Sequence, residues 1–394
     1  MKKKILFVMN NLNCGGAEKA LVSLMQNIDY SNYEVDLYLF KHEGLFLKQI
    51  PNEVTLLKAP LEYAFFDMPF FKALLLALKI GRLDIFFGRI GVTFVYKSRN
   101  SASAKEQKAW NYISRCIPKM KKKYDLSVGY LQRMPNYFCV DKTNAVKKVG
   151  FIHNDYEKLK MDISIDSYYM NKLDAILTVS ETCKAILIKT FPQHINKIAV
   201  MFNIVSPKTI LSLSNETVVL DPVLKTIVTV GRLNKQKGYE LAIEACGILK
   251  KQGIAVKWYV LGDGEERVAL EMLIIEHDVE ESFILLGIIE NPYPYIKQAD
   301  VYLQTSRFEG KSIAIDEAKI LDKPIVVTNF ETVFDQIETE VNGLIVSMIP
   351  EEIAKGIKRV FEETTLRDKL VANLKKEKKG NESEMKVFYS LFKN

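Results

Sequence analysis

The sequence predicts an α/β protein made of two doubly wound domains. Short apolar runs alternate with longer helical segments, which indicates parallel sheets covered by helices. The alternation is interrupted by a polar stretch with two prolines at 203–225, which we interpret as a linker. A length of 394 residues, 48% hydrophobic and 26% charged, suits two globular domains.

The composition and the first residues argue against several classes of protein. Five cysteines are scattered with no close pair, so a disulfide scaffold or cysteine zinc site is not expected, and a reducing cytoplasm fits. The basic head and short apolar run at 1–9 lack the longer apolar core and the cleavage site of a signal peptide. No run of 18 uncharged apolar residues occurs, so we expect no membrane-spanning helix.

The charge is unevenly distributed along the chain. Residues 1–200 hold 30 basic and 18 acidic side chains, whereas residues 201–394 hold 25 basic and 30 acidic ones. The basic half is therefore expected to meet an anionic partner, for which nucleic acid and an anionic membrane surface are the two candidates.

In the first half, a glycine pair follows the first apolar run. Gly15 and Gly16 precede a periodic helix at 17–27, where backbone N–H groups suit an anion, although such a pair is also typical of a simple tight turn. The predicted strands of this half are 4–9, 34–40, 125–129, 147–153, 174–180 and 197–201.

The segment 61–123 differs from the rest of the half. It is rich in leucine and aromatic residues and carries 13 basic against 4 acidic side chains. This mixture is typical of the membrane interface, although an apolar insert with solvated cations would look similar. Aromatic residues among cations also suit single-stranded nucleic acid, but no nucleic-acid-binding motif accompanies them. We therefore expect an anionic membrane surface as partner and no nucleic acid.

One histidine has a position typical of a ligand site. His153 ends a predicted strand, and ligands of open α/β sheets bind at the carboxyl ends of the strands. A structural histidine is an equally acceptable interpretation. No metal-ligand spacing joins the four histidines, so no metal site is predicted.

The second half repeats the alternation without repeating the sequence. Strands are predicted at 226–230, 256–261, 283–286, 300–304, 324–328 and 343–346, and helices at 239–251, 265–277, 292–298 and 312–321. A final amphipathic helix is predicted at 383–392.

Cations and glycines follow the first strand of the second half. Arg232 offers a planar fork of donors and Lys237 a mobile point charge, and both suit a diphosphate. Gly231 and Gly238 permit close approach of the backbone. Because a further turn at 262–265 belongs to the same carboxyl edge, we expect several polar loops to meet there.

Two glutamates lie in a loop that is predicted to become a helix at about Gly310. Glu309 and Glu317 are eight residues apart, which is ~12 Å along a helix. Glycosidase carboxylate pairs lie ~5–9.5 Å apart, so the spacing favours two hydroxyl-binding anchors over an acid and a base. The N–H groups at Gly310, Lys311 and Ser312 would point at phosphate, while Glu317 alone could be a solvated helix carboxylate.

These motifs together resemble the family-4 retaining glycosyltransferases of GT-B fold. The matching residues are Gly15-Gly16-Ala17-Glu18, His153, Gly231-Arg232 with Lys237-Gly238, and Phe308-Glu309-Gly310 leading through seven residues to Glu317. The resemblance covers essentially the whole chain and is strongest at 225–346. It implies two Rossmann-like domains facing across a cleft: an acceptor-binding domain at 1–203, a nucleotide-sugar-binding domain at 204–378, and a helix at 379–394 that packs back on the first domain.

The resemblance also implies roles for single residues. Arg232 and Lys237 would bind the donor diphosphate, Glu309 the sugar hydroxyls and Glu317 the ribose. His153 would lie beside the reacting sugar, and Gly16 near the phosphates or the acceptor. Lys311-Ser312 departs from the family pattern of Phe or Leu followed by a small residue or Pro, which leaves donor specificity open. The family retains anomeric configuration by front-face displacement, in which the departing diphosphate accepts the proton of the incoming hydroxyl.

The resemblance therefore predicts a transferase that moves a hexose from a nucleotide-sugar, with UDP-hexose as the expected donor, to a polyprenyl-diphosphate-linked glycan in capsule or exopolysaccharide synthesis. It would act in the cytoplasm, at the inner face of the membrane, with the nucleotide-sugar as substrate and no cofactor. Because no Asp-x-Asp sequence occurs and Arg232 and Lys237 can neutralise the diphosphate, we expect metal-independent activity. A sugar-nucleotide epimerase and a non-catalytic nucleotide-sugar-binding protein are the alternatives.

Overall fold

The computed structural model describes residues 2–392 and divides into two compact units. Within these residues, the first unit comprises 2–13, 17–202 and 383–392, and the second comprises 14–16 and 203–382. The sequence predicts the corresponding boundaries after residues 203 and 378. The glycine loop at 14–16 groups with the second unit, although the residues on either side of it belong to the first.

The first unit contains a parallel sheet of seven strands. They are β1 (Lys3–Met9), β2 (Tyr33–Leu39), β3 (Val54–Leu56), β4 (Lys123–Gly129), β5 (Asn144–Ile152), β6 (Ala175–Thr178) and β7 (Ile198–Val200), in the order β3-β2-β1-β4-β5-β6-β7. Ile5 pairs with Val35 on one side and with Leu126 on the other. Residues 5–9 are completely buried, as expected for a central parallel strand. Only β3 was missed, because three edge residues with one buried side chain leave no pattern.

The helices of the first unit include an all-helical insert between β3 and β4. The insert consists of α2 (Leu61–Asp67), α3 (Phe70–Lys79), α4 (Leu83–Lys97) and α5 (Ala102–Cys116). The remaining helices up to residue 202 are α1 (Gly16–Gln26), α6 (Met134–Lys142), α7 (Ile163–Asn171) and α8 (Glu181–Thr190). None of the described helices is long and apolar enough to span a bilayer.

The second unit contains a parallel sheet of six strands. They are β8 (Lys225–Val230), β9 (Val256–Leu261), β10 (Phe283–Gly287), β11 (Val301–Gln304), β12 (Ile325–Thr328) and β13 (Leu344–Val346), in the order β10-β9-β8-β11-β12-β13. Strand order reverses between β8 and β11, which pair directly through Ile227 and Val301. Such a switch point separates the loops at the carboxyl edge and leaves a crevice for a ligand.

The helices of the second unit begin inside the stretch predicted to be a linker. They are α9 (Pro207–Leu213), α10 (Tyr239–Lys251), α11 (Arg267–Glu276), α12 (Tyr293–Gln298), α13 (Ile313–Ile320), α14 (Pro350–Glu362) and α15 (Thr364–Lys376). The stretch 203–225, interpreted as a linker, contains the short helix α9, which Pro207 starts and in which Ile210 is 2% exposed.

The last helix, α16 (Met385–Ser390), belongs to the first unit. Phe388 is completely buried, and its ring stacks on Phe7 of β1 with centroids 5.8 Å apart. Tyr389 stacks on Tyr33 at 5.0 Å, and its hydroxyl accepts a hydrogen bond from the Asp29 N–H at 2.8 Å. Aromatic pairs therefore hold this helix on the sheet of the first unit.

Candidate functional site

Two loops of the second unit meet beyond the carboxyl ends of β8 and β11. The loop after β8 contains a short 3-10 helix at Lys235–Lys237, and the loop after β11 runs from Thr305 to Ser312. Thr305 Oγ1 donates to the carbonyl of Lys237 at 2.9 Å, and the Arg307 N–H donates to the carbonyl of Gln236 at 2.7 Å. These main-chain contacts hold the loops side by side and bring two predicted site residues together.

Those residues are Lys237 and Glu309, which form an ion pair. Lys237 Nζ lies 2.6 Å from Glu309 Oε1, and the Glu309 residue is 9% exposed. The carboxylate also accepts from Ser306 Oγ at 2.7 Å and from Gln304 Nε2 at 3.3 Å, both on Oε1. Its Oε2 accepts from Gln236 Nε2 at 3.2 Å. Four hydrogen-bond donors therefore fix this buried carboxylate in position.

Two glycines of the β8 loop are required by their surroundings. Gly238 has φ +61°, and a Cβ there would lie 2.4 Å from the carbonyl oxygen of Thr305. A Cβ on Gly231 would lie 3.0 Å from Lys237 Cε. Gly231 therefore leaves room for the Lys237 stem, and Gly238 lets the two loops touch.

Arg232 lies in the same loop with an exposed side chain. Its carbonyl accepts from the N–H of Asn234 at 2.9 Å, and Asn234 Oδ1 in turn accepts from the N–H of Lys237 at 3.2 Å. Arg232 and Lys237 thus share one tightly turned loop, as their spacing predicts, and Lys237 joins the carboxylate cluster through its hydrogen bond to Glu309.

The helix after Glu309 agrees with the predicted segment 312–321 to within one residue, but the loop does not become helical as early as Gly310. The first helical residue of α13 is Ile313, not Gly310, because Ser312 is its N-cap and accepts from the N–H of Ile315 at 3.4 Å. The Ser312 N–H donates to Gln336 Oε1 at 2.8 Å. Gly310 is buried just before the helix.

Lys311 and the start of α13 are held by local pairs. Lys311 Nζ lies 3.1 Å from Asp316 Oδ2, and Gln336 Nε2 donates to Asp316 Oδ1 at 2.9 Å. Within residues 2–392, the N–H groups of Ile313 and Ala314 have no hydrogen-bond partner, so these are the amides at the helix N-terminus that suit an anion.

Glu317 is a buried carboxylate, which argues against the solvated alternative. It is 2% exposed and accepts a hydrogen bond from the Tyr293 hydroxyl at 3.2 Å. Tyr302 lies within electrostatic reach of both glutamates: burial raises its pKa well above the usual range, and the charges of Glu317 and Glu309 add to the rise. The two carboxylates therefore share one buried polar region of the second unit.

Three glutamines of this region have no counterpart in the sequence-based prediction. Gln304 connects Glu309 with Ser312, Gln236 binds Glu309 from the other loop, and Gln336 binds the start of α13. The only signal available was for Gln304, a polar residue that ends an otherwise apolar strand.

In the first unit, His153 follows β5 and is 9% exposed. Its ring stacks on Phe151 at 5.3 Å and lies 4.9 Å from the Tyr130 ring. Burial lowers the pKa of His153 from 6.5 to about 3, and the main chain of Tyr130, near the ring but outside normal hydrogen-bond geometry, offsets only part of this. The imidazole is therefore neutral at physiological pH and is a hydrogen-bonding group rather than a cation.

Further buried polar atoms lie at the same edge of the first sheet. Among residues 2–392, no hydrogen-bond partner is found for Asn10 Oδ1, Asn154 Oδ1, Asp155 Oδ2 or either ring nitrogen of His153. Asn10 follows β1 and residues 153–155 follow β5, on either side of β4. Unsatisfied buried groups are costly, so their concentration at a sheet edge indicates a site for a polar ligand.

The backbone conformation at Gly15 and Gly16 does not require glycine. Neither Gly15 nor Gly16 has a positive φ. A Cβ on Gly16 would lie 3.9 Å from Ile313 Cδ1, which is an ordinary contact. Their predicted phosphate-binding role therefore rests on position near the start of α13 and not on a conformation that only glycine can adopt.

Comparison with known proteins identifies the domain that holds the glutamate pair. Residues 218–377 match the family model described as glycosyl transferases group 1. Over 370 residues, 93% of this chain and 92% of the relative, the chain is 26% identical to N-acetylgalactosamine-N,N'-diacetylbacillosaminyl-diphospho-undecaprenol 4-alpha-N-acetylgalactosaminyltransferase from Campylobacter jejuni.

Solved structures share the fold at lower identity. HepE from Anabaena in complex with UDP-glucose is 18% identical, with a TM-score of 0.64 over 94% of this chain and 93% of that one. A TarM variant from S. aureus, in complex with UDP and other ligands, is 15% identical, with a TM-score of 0.66 over the whole of both chains. The predicted GT-B fold class, with two Rossmann-like units, is confirmed.

Proposed function

Since residues 218–377 form a domain of the glycosyl transferases group 1 family, as the sequence motifs predicted, we propose that the chain is a retaining hexosyltransferase. Its donor is a UDP-hexose, and its acceptor is a hydroxyl of a polyprenyl-diphosphate-linked glycan used in surface polysaccharide synthesis. The observation that carries the proposal is the Lys237–Glu309 pair, a cation and a carboxylate side by side at the switch point of the second sheet.

The donor fits the chemistry of this edge. Lys237 and Arg232 supply cations for the diphosphate, and the free amides of Ile313 and Ala314 add the positive end of a helix. Glu309 accepts from sugar hydroxyls and Glu317 from the ribose. UDP in the structures of similar fold supports the choice of nucleotide.

Transfer is proposed to proceed on one face of the sugar. The bond from the anomeric carbon to the diphosphate breaks, the acceptor oxygen forms a bond on the same side, and the hydroxyl proton passes to the departing phosphate oxygen. The cations of the β8 loop stabilise the negative charge that develops on the diphosphate. Neutral His153 and its unpartnered neighbours are proposed to bind sugar hydroxyls at the edge of the first sheet.

The acceptor proposal rests on a relative. The C. jejuni protein, similar over 93% of this chain, acts by its name on a diphospho-undecaprenol glycan. Such an acceptor is held in a membrane, which agrees with the basic, apolar insert at 61–123 and with peripheral attachment at the cytoplasmic face. We further propose that no metal and no cofactor are needed, because Arg232 and Lys237 supply the positive charge with which a metal would otherwise neutralise the diphosphate.

The test compares two site variants with a surface variant. Glu309→Ala or Lys237→Ala should each reduce transfer about a hundredfold or more, the scale of losing one preorganised charge stabiliser. Lys250→Ala removes a cation from an exposed ion pair of the same unit and should leave the rate unchanged. Wild-type rates in both site variants would contradict the assignment.

A donor panel completes the test. Each UDP-sugar is incubated with the protein alone, and slow hydrolysis identifies the donor. A new sugar-nucleotide without acceptor would indicate an epimerase, and UDP binding without turnover would indicate a non-catalytic protein. Loss of activity in EDTA with recovery in Mg²⁺ or Mn²⁺ would contradict metal independence, and an inverted anomeric configuration by NMR would contradict retention.

A further inference from the structure

Helix α3 of the insert buries its small residues and exposes its large apolar ones. Ala73 and Ala77 are completely buried, whereas Phe71, Leu75 and Leu78 are 77%, 70% and 49% exposed. The exposed residues are spaced i, i+4, i+7 and therefore share one face. An ordinary amphipathic helix turns its large apolar residues towards the core. The exposed apolar face of α3 therefore indicates a surface that binds a further partner.

Helix α4, which packs against α3, shows a similar face. Leu83, Phe87 and Phe94 are 56%, 65% and 69% exposed, at i, i+4 and i+11. Gly88 is buried, and a Cβ on it would lie 3.0 Å from Cys116 Sγ, so the inner side of this helix is tightly packed. Two neighbouring helices thus expose apolar stripes while their small residues face inward.

The charges around these stripes are almost all positive. The three acids between residues 61 and 99 are already in ion pairs: Glu62 and Asp84 with Arg82, and Asp67 with Lys41. By contrast, no ion pair with any residue of 2–392 is found for the exposed cations Lys72, Lys79, Lys97 and Arg99. The surface is therefore apolar and carries uncompensated positive charge.

We propose that the exposed stripes of α3 and α4 insert into the interface of an anionic lipid bilayer. The bilayer satisfies both properties, because its acyl chains cover the apolar side chains and its headgroups neutralise the four cations. A second copy of the chain fits less well, since it would bring two sets of like charges together. The inference specifies the lipid-facing surface of the proposed transferase and rests on that function for its lipid-linked acceptor.

A tryptophan at position 87 tests the insertion directly. The chain has two tryptophans, and both Trp110 and Trp258 are completely buried, so Phe87→Trp supplies the exposed one. With vesicles of phosphatidylcholine and phosphatidylglycerol, its emission should shift to the blue and be quenched by brominated acyl chains. An unchanged spectrum on vesicles that do bind the protein would place the contact elsewhere and overturn the inference.

Two matched triple variants separate this surface from exposed apolar residues in general. Phe71→Ser, Leu75→Ser and Leu78→Ser together should weaken vesicle partitioning on the order of a hundredfold. The control is Val268→Ser, Met272→Ser and Ile275→Ser on α11, where the spacing is the same and exposure is 69%, 67% and 65%. Glutamates surround that stripe, so partitioning should stay at the wild-type level. Equal effects of the two variants would refute the proposal.

Separate measurements distinguish failure of this surface from failure of the proposed function. Donor hydrolysis needs no membrane and should be the same in wild type and both triple variants. Transfer to a soluble acceptor without any vesicle binding would overturn the proposal of a lipid-binding surface and support the proposed transferase function. Vesicle binding through α3 without any sugar transfer would support the lipid-binding surface and contradict the proposed transferase function. If the α3 variant changes self-association in sedimentation and leaves vesicle binding intact, the partner is a second copy and the inference is wrong.

Discussion

Replacing Gln304 with leucine should damage both the fold of the second unit and the glutamate site. This side chain is 1% exposed, and its Nε2 donates to Ser306 Oγ at 3.0 Å and to Glu309 Oε1 at 3.3 Å. Its Oε1 accepts from Ser312 Oγ at 2.7 Å and from the Tyr302 hydroxyl at 3.2 Å. One amide therefore links the carboxylate that we place on the donor sugar to the N-cap of α13.

The magnitude follows from the hydrogen bonds that leucine cannot make. The hydroxyls of Ser312 and Tyr302 would be left buried without this acceptor, at about 1–3 kcal/mol each. The greater apolar character of leucine offsets about 1 kcal/mol, so the free energy of unfolding should fall by about 1–5 kcal/mol. Glu309 loses one of four donors, which should lower kcat/KM for donor hydrolysis about tenfold, equivalent to about 1.4 kcal/mol.

Urea unfolding and donor-hydrolysis kinetics measure the two effects. Gln298→Leu is the control, because that exposed amide makes one contact, a hydrogen bond from its Nε2 to the Val218 carbonyl at 3.2 Å. Gln304→Glu keeps the shape but places a second carboxyl against Glu309, so its activity should fall further and recover partly as the pH is lowered. Wild-type stability and kinetics in Gln304→Leu would show that the network has no such role.

Three further predictions concern other parts of the chain. Burial favours the neutral form of His153 in the folded state, so the free energy of unfolding should keep its full value above about pH 6.5 and fall by about 1.4 kcal/mol per pH unit towards pH 3. Urea unfolding measures this slope, and an equal slope in His153→Gln would contradict the argument. Gly238→Ala should lower stability by more than Gly253→Ala, since both have positive φ but a Cβ at 253 has nothing within 4 Å; equal thermal shifts would refute the steric argument. Phe388→Ala should cost about 3–5 kcal/mol in chemical denaturation because this completely buried ring stacks on Phe7, and a loss below 1 kcal/mol would mean that α16 is not held there.

The sheets were predictable from sequence because parallel strands are buried on both faces. Continuous apolar runs such as 4–9 and 256–261 have no other good interpretation, and both are strands. Short elements were not predictable. β3 has three residues at a sheet edge, and α9 has seven residues that begin with a proline in a polar stretch. Elements of this size are formed through tertiary contacts, which leave no periodic pattern in the sequence.

The charged candidate residues and the glycines beside them could be named from the sequence, because their residue types suit a diphosphate and a sugar, and their roles stay predictions. Lys237 and Glu309 are 72 residues apart in sequence, and the switch point between β8 and β11 brings them into contact. The amide network of Gln304 and Gln336 was not predictable, since a glutamine has the same appearance in sequence whether it is buried or solvated. The start of α13 depends on this network too, because Gln336 binds the Ser312 N–H, and the helix begins at Ile313 and not already at about Gly310.

The contact between Lys237 and Glu309 raises the question of whether the ion pair competes with a donor or prepares for one. An ammonium group has three N–H donors, and within residues 2–392 the structure gives Lys237 Nζ one hydrogen bond, to Glu309 Oε1. That oxygen accepts three donors, whereas Oε2 accepts only the one from Gln236 and retains a lone pair. Both partners therefore keep hydrogen-bonding capacity while they remain paired. In the proposed function, a diphosphate binds the remaining ammonium donors and a sugar hydroxyl binds Oε2. The ion pair therefore holds the ammonium and the carboxylate in position before the donor arrives.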